Sequence, residues 1–393
     1  MYDRPIGYFF ATAAAGFKYT GREDLVFIGS DVEASAAGVF TSNRFQAAPV
    51  HVARANLAGR GKARGILVNA GQANACTGEE GVEDCRETLK LVAQGFDLEP
   101  EEILPASTGV IGERFSLEDW KRAAVDLFAN AHSRTPLDAA KAITTTDTFP
   151  KLAWRSFEAG GETVRVLGMA KGAGMICPNM ATLLAFILTD ATLPPDLWQE
   201  ILRSASEESF NRISVDGDTS TNDCLLGLAN GRSEVDCSAE EAESLRFAAG
   251  EVCRELARLI VEDAEGGTKV ITVRVQGAAD ASDAAKAARC VAHSPLVKTA
   301  FFGRDPNWGR IVAALGRSGA HFAPEEVEIS ISGRTVFQKG RPALEDVDSL
   351  LAPQMRRRDI VLCIDLGRGS GEYEMLTSDL SLDYVRINAE YRS

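Results

Sequence analysis

Residues 171 to 190 read Lys-Gly-Ala-Gly-Met-Ile-Cys-Pro-Asn-Met-Ala-Thr-Leu-Leu-Ala-Phe-Ile-Leu-Thr-Asp, which sets the Thr182 hydroxyl between a glycine-rich turn and a long apolar run. A hydroxyl is a weak nucleophile until a base takes its proton. Only four histidines occur, His51, His132, His293 and His321, and none lies in a sequence context rich in acids or nucleophiles. A serine–histidine–aspartate arrangement is therefore poorly supported. A threonine can use its own α-amine instead, whose ordinary pKa of about 7.7 to 8.0 leaves a neutral fraction near pH 7. That amine exists only once the Ala181–Thr182 peptide bond is broken. The cut is chemically reasonable: the hydroxyl attacks the carbonyl of Ala181, an N-to-O acyl shift gives an ester, and water releases the new N-terminus. Gly172 and Gly174 permit unusual backbone angles and Pro178 fixes one, so a strained turn is expected there. On this stretch alone a plain structural turn feeding a core strand weighs equally.

The elements that must hold such a hydroxyl are legible in the pattern of apolar residues. Leu183 to Leu188 is apolar on both faces, which predicts a central strand covered on both sides and opened by Thr182. Ile271, Val273 and Val275 alternate with polar residues, as do Val327, Ile329 and Ile331, and each set predicts a half-buried strand. Val82, Cys85, Leu89, Val92 and Phe96 keep a helical period that Gly95 and Asp97 help to end. Ser116 with Asp119 caps a second helix, a third follows Pro194 and Pro195 to about Phe210, and Ser238 caps a long fourth through Ile260. Ser156 to Glu162 and Asn230 to Ser238 read as surface loops. The sum is a mixed α/β (α+β) fold, with mixed sheets layered with helices in two lobes.

Composition removes several function classes. The net charge of -14 repels a phosphate backbone, so no nucleic-acid partner is expected. Eight cysteines are scattered without a Cys-x-x-Cys pair, which fits neither a disulfide framework nor a zinc site and suits a reduced, cytoplasmic protein. The apolar stretch Ile6 to Phe17 is too short to span a bilayer, so no membrane partner is expected either. Metal, nucleoside-triphosphate and dinucleotide signatures are absent from the sequence, and no metal or cofactor is expected. Arg54, Arg60, Lys62 and Arg64 form a basic cluster that suits either a solvated surface or the phosphates of a coenzyme A donor.

The run from Lys171 to Asp190 resembles the signature of the ornithine acetyltransferase family. The likeness continues through Asn69 to Ala75, Ser107 to Gly112, Thr145 to Lys151, Asp216 to Asp223, Asp305 to Arg310 and Asn388 to Ser393. The resemblance implies a self-processing ornithine acetyltransferase/aminopeptidase-like fold, cut between Ala181 and Thr182 into an α chain of residues 1–181 and a β chain of residues 182–393. It also implies assembly of two α and two β chains.

By the same resemblance Thr182 is the nucleophile, Thr108 and Gly109 form the oxyanion hole, and Thr145, Lys171, Thr182, Glu265, Asn388 and Ser393 bind substrate. Cys177 is then a small buried residue and not a rival nucleophile. The implied activity moves acetyl from N-acetyl-L-ornithine to L-glutamate through an acetyl-threonine, within arginine biosynthesis. Some members also accept acetyl-CoA, an alternative the residues leave open. Two other classes compete: a self-processing aminopeptidase or amidohydrolase of similar fold, and a non-catalytic binder on an old scaffold. Without the resemblance, Ser107 to Gly109 reads as a loop, Glu265 as a solvated acid, and Asn388 and Ser393 as a frayed terminus.

Intact-mass spectrometry of purified protein should give two species of about 19 and 23 kDa, the shares of 42.1 kDa carried by 181 and 212 of the 393 residues. A single full-length species, stable on incubation, would remove both the cut and the amine base.

Overall fold

The computed structural model describes residues 3–177, 183–237 and 239–390. Pro178, Ala181, Thr182, Ser238 and Ser393 lie outside the described residues. In chain order the strands are β1 (Tyr8–Ala13), β2 (Leu25–Phe40), β3 (Lys62–Gln72), β4 (Ile103–Val110), β5 (Lys151–Ala159), β6 (Glu162–Lys171), β7 (Leu184–Thr189) and β8 (Ile213–Ser214). They continue as β9 (Cys224–Ala229), β10 (Val270–Ala278), β11 (Glu328–Ile331), β12 (Arg334–Gln338), β13 (Arg341–Pro342), β14 (Asp359–Asp365) and β15 (Gly371–Ser378). The chain divides into two compact units. Among the described residues the first holds those up to Asn211 together with Asp218–Ile260, and the second holds Arg212–Gly217 and the chain from Val261 to Glu390.

The first unit is built on a mixed sheet of order β4-β3-β2-β9-β7-β6-β5, with β1 added to β2. β7 pairs parallel to β9 and antiparallel to β6, so both of its backbone edges are hydrogen-bonded. All six of its residues are buried, as the doubly apolar run predicts. Leu184, Phe186 and Leu188 join one core cluster with Leu167, Met169 and Leu226. Each such side chain contributes about 1.5–3 kcal/mol when fully buried, so β7 is held far more firmly than a surface strand. Residues before position 182 supply β1 to β6 of this sheet, and residues after it supply β7 and β9.

The helices follow the sequence pattern closely. Ser116 Oγ accepts from the Asp119 backbone amide at 3.4 Å and opens the helix Leu117–Ala129, while the long helix Ala239–Glu262 matches the fourth prediction. Two readings need correction. Gly95 does not end its helix: Gly78–Phe96 continues through it, because the missing side chain leaves room for the Phe128 ring, and the chain turns only at Asp97. Ser156 to Glu162 is not a loop, since β5 runs to Ala159 and pairs with β6 through Phe157 opposite Val164. Only Gly160 and Gly161, both at positive φ, make the turn.

The second unit carries a sheet of order β13-β12-β11-β14-β10-β15-β8. In β10, Ile271, Val273 and Val275 are buried while Arg274 and Gln276 face water, the alternation expected of a strand covered on one side. Ala284, Ala288 and Val291 of the helix Ala281–Ala292 join the same core cluster as these strand residues.

A chain cut between Ala181 and Thr182 should elute from size-exclusion chromatography as one particle, its pieces separating only in denaturant. Pieces that part in plain buffer would mean that β6 and β7 do not stay paired after the cut.

Candidate active site

Thr108 and Gly109 sit in β4, not in a loop, because β4 continues as a parallel partner of β3 with Thr108 opposite Ala70 and Gly109 opposite Gly71. Gly109 has φ of 135°, and a methyl group there would lie 2.1 Å from the Gly71 carbonyl carbon. Only glycine fits such a close backbone approach at that angle. The strand is pinned from the side by Asn222, whose Nδ2 donates to the Ala73 carbonyl at 2.7 Å and to the Ser107 carbonyl and hydroxyl, each at 2.9 Å. Three of the family-like segments, around Ala73, Ser107 and Asn222, thus meet through one amide.

Lys171 ends β6 and is 4% exposed, and its Nζ donates to Thr108 Oγ1 at 3.4 Å. Beneath it lies a residue that the sequence reading passed over. Asp147 Oδ1 accepts from Lys151 Nζ and from the Gly172 amide, both at 2.7 Å, and Oδ2 accepts from the Thr145 amide at 3.0 Å. The side chains of Asp147 and Lys151 are fully buried. Burial alone would raise the Asp147 pKa, but the charges of Lys171 and then Lys151 outweigh it and hold the carboxyl at about 2. Asp147 therefore stays ionised and joins Thr145, Lys151 and the start of the Lys171–Gly172 turn. Its only sequence signal was membership of the Thr145 to Lys151 segment, since an aspartate four residues before a lysine outside a helix carries no pattern of its own.

Thr145, Thr108, Gly109 and Lys171 thus gather in the first unit. Glu265 and Asn388 gather in the second. Glu265 is half-buried and not a freely solvated acid, because Asn388 Nδ2 donates to its Oε2 at 2.8 Å. Asn388 belongs to the helix Leu382–Glu390, not to a frayed end, and also donates to the Tyr384 carbonyl at 3.1 Å. The helix is anchored by Tyr384, whose hydroxyl donates to Asp216 Oδ2 at 3.2 Å. Gly266, at φ of 64°, lets the turn beside Glu265 lie against this helix: a methyl there would be 2.5 Å from the Tyr384 amide nitrogen. Ala181, Thr182 and Ser393 are outside the described residues. Cys177 is half-buried, not buried, although its neighbour Ile176 is fully buried.

The basic cluster near the N-terminus is engaged by neighbouring groups of the first unit. Arg60 and Lys62 pair with Glu33, Arg54 stacks on the Phe40 ring at 4.8 Å, and Arg64 donates to the Asp31 carbonyl. Among the described residues there is no group of three or more metal-ligating side chains, and no helix is long and apolar enough to cross a membrane.

Asp147→Asn should destabilise the fold by about 3–5 kcal/mol, because two buried ammonium groups lose their counter-charge. The sign in acid follows from the depressed pKa: the Asp147 contribution is full above pH 3.8 and lost as pH falls towards about 2. Acid unfolding across that window should be shallower in the variant, and matching denaturation midpoints and acid profiles would show that Asp147 is not the counter-charge.

A sequence model of the ArgJ family matches residues 9–393. The chain is 53% identical to the arginine biosynthesis bifunctional protein ArgJ of Nitratidesulfovibrio vulgaris, with 100% of each chain covered. It is 45% identical to the protein of that name from Geobacter sulfurreducens, with 98% of this chain and 99% of the relative covered. Among solved structures, the crystal structure of arginine biosynthesis bifunctional protein ArgJ from Bacillus halodurans is 36% identical with a TM-score of 0.50. The match covers 98% of that chain and 52% of this one. The buried lysine beside a Thr-Gly strand end, the ordered run of matching segments and full-length identity to named relatives lead to one assignment: this chain belongs to the ArgJ family.

Proposed function

We propose that this chain is an acyltransferase of arginine biosynthesis that carries acetyl from N-acetyl-L-ornithine to L-glutamate on Thr182. The observation that carries the reading is the buried Lys171 ammonium set against Thr108 and the glycine-only strand end at Gly109. Such a place suits a developing oxyanion, and one donor of this kind typically accounts for roughly 100- to 1000-fold in rate.

The chemistry runs in two halves. The α-amine of Thr182 takes the proton from its own Oγ, which attacks the acetyl carbonyl of the donor. Thr108 and Gly109 stabilise the charge on the carbonyl oxygen, the amide C–N bond breaks, and ornithine leaves with the proton. The amine of glutamate then attacks the acetyl ester, its proton returns to Oγ, and N-acetylglutamate departs. Glutamate and acetylornithine are both amino acids, which matches the charges assigned: Lys171 pairs with a carboxylate and Glu265 with an ammonium, while Thr145, Asn388 and Ser393 orient the ligand. Asn388 already meets the carboxylate that would hold the ammonium.

The α-amine requires the Ala181–Thr182 cut, giving chains 1–181 and 182–393 that assemble as two of each in the cytoplasm. The Bacillus halodurans chain supports the cut, since a match over nearly all of a solved chain but 52% of this one is what a divided relative gives. Acetyl-CoA as a second donor belongs to the same reading, and relatives named bifunctional leave room for a second activity. The self-processing hydrolase remains the rival, with water in place of glutamate.

Incubation of the purified enzyme with N-acetylornithine should release ornithine steadily only when glutamate is present, with N-acetylglutamate formed in equal amount. Free acetate produced at the same rate with or without glutamate would favour the hydrolase.

A further inference from the structure

The second unit contains a cavity of about 570 Å³ lined by Lys269, Phe302, Arg304, Arg356 and Arg358, together with Thr268 and Gly303. That size falls within the range of about 300–1,000 Å³ typical of small-molecule sites. Its residues come from three separate stretches: the start of β10, the end of the helix Pro295–Phe302 and the end of the helix Val347–Met355. Four cations around one cavity are unusual in a chain of net charge -14.

No acid lines the cavity. Among the described residues, Arg304, Arg356 and Arg358 have no carboxylate within ion-pair distance, and Arg358 is oriented instead by donating to the Glu262 carbonyl at 2.7 Å. Lys269 is buried and donates to the Arg357 carbonyl at 2.9 Å. Burial holds its ammonium below the usual lysine range, against the pull of Asp379 and with the push of Arg304. Asp379 itself is occupied by the Thr268 and Lys269 backbone amides and the Thr268 hydroxyl. The carbonyl ends of the two helices offset part of the cluster's charge.

Three guanidinium groups without acidic partners suit a doubly charged phosphate, which they can grip bidentately. Phe302 adds a ring that is 37% exposed at the same cavity, a surface on which a base can stack. The geometry points to a binding site for a phosphorylated nucleotide on the second unit, formed by Lys269, Phe302, Arg304, Arg356 and Arg358. It is a different cluster from the Arg54 to Arg64 group, where Arg60 and Lys62 already face Glu33.

Titration calorimetry on the processed, full-length enzyme tests this with adenosine 3′,5′-bisphosphate, inorganic pyrophosphate and coenzyme A as probes. The bisphosphate should bind saturably, more weakly as salt rises, and the double variant Arg304→Gln/Arg356→Gln should weaken it by at least about tenfold. Phe302→Ala should weaken the nucleotide while leaving pyrophosphate unchanged. Acetyl exchange between acetylornithine and glutamate should match the parent in every variant, which certifies their folding. Displacement of the bisphosphate by coenzyme A, with a raised KM for acetyl-CoA in the double variant, would identify the nucleotide as part of that coenzyme. Binding without such displacement would identify a free nucleotide. No saturable binding, or equal affinity in parent and double variant, would overturn the site.

Discussion

Two ammonium groups cannot share a water-poor pocket unless a negative charge stands between them, and Asp147 is that charge for Lys151 and Lys171. The cation beside the Thr108 end of β4 depends on it. With the carboxylate in place, Lys171 can remain charged at 4% exposure and reach the Thr108 hydroxyl. The same two oxygens bind the backbone at Thr145 and Gly172, so one group sets both the electrostatics and the path of two loops. The low pKa means that the Asp147 carboxylate stays charged across the physiological pH range.

The strand end carrying Thr108 and Gly109 is fixed by hydrogen bonds of a different kind. Asn222 reaches from the segment before β9 to Ala73 and Ser107, and Ser107 Oγ donates to the same Ala73 carbonyl at 2.7 Å. These are buried neutral groups, each satisfied, so they specify position without adding charge. A site that stabilises transient negative charge gains most when its donors need not move during the reaction. Rigid support of that kind is what the proposed role of Thr108 and Gly109 requires.

Much of this was legible in the sequence, and most of the parts that were not share a cause. β7 and β10 were visible because their side chains obey a local period: apolar on both faces for a central strand, alternating for a half-covered one. Ser116 and Asp119 could be paired because capping acts over three residues. Thr108 reads locally as a loop, since its strand character comes from pairing with β3, about forty residues earlier. Asp147 left no trace in any pattern because a spacing of two to Thr145 and four to Lys151 outside a helix has no periodic signature, and Asn222 left none because its partners lie more than a hundred residues away. Glu265 looked solvated for the same reason: Asn388, 123 residues later, is what shields it. Family resemblance supplied Thr108 and Glu265 where local physics favoured the bland reading, yet it did not single out the aspartate beneath Lys171.

Gly109 has a meaning for how this protein can drift over generations. A side chain at that position would strike the Gly71 backbone, and one at Gly266 would strike the backbone of Tyr384. A clash with a side chain can be relieved by trimming the neighbour, whereas a clash with main chain has no second-site suppressor. Both backbone paths, the end of β4 at Gly109 and the turn at Gly266, are therefore frozen by bulk alone. A descendant that came to prefer another acceptor would have to change the side chains around these glycines and inherit the glycines themselves untouched.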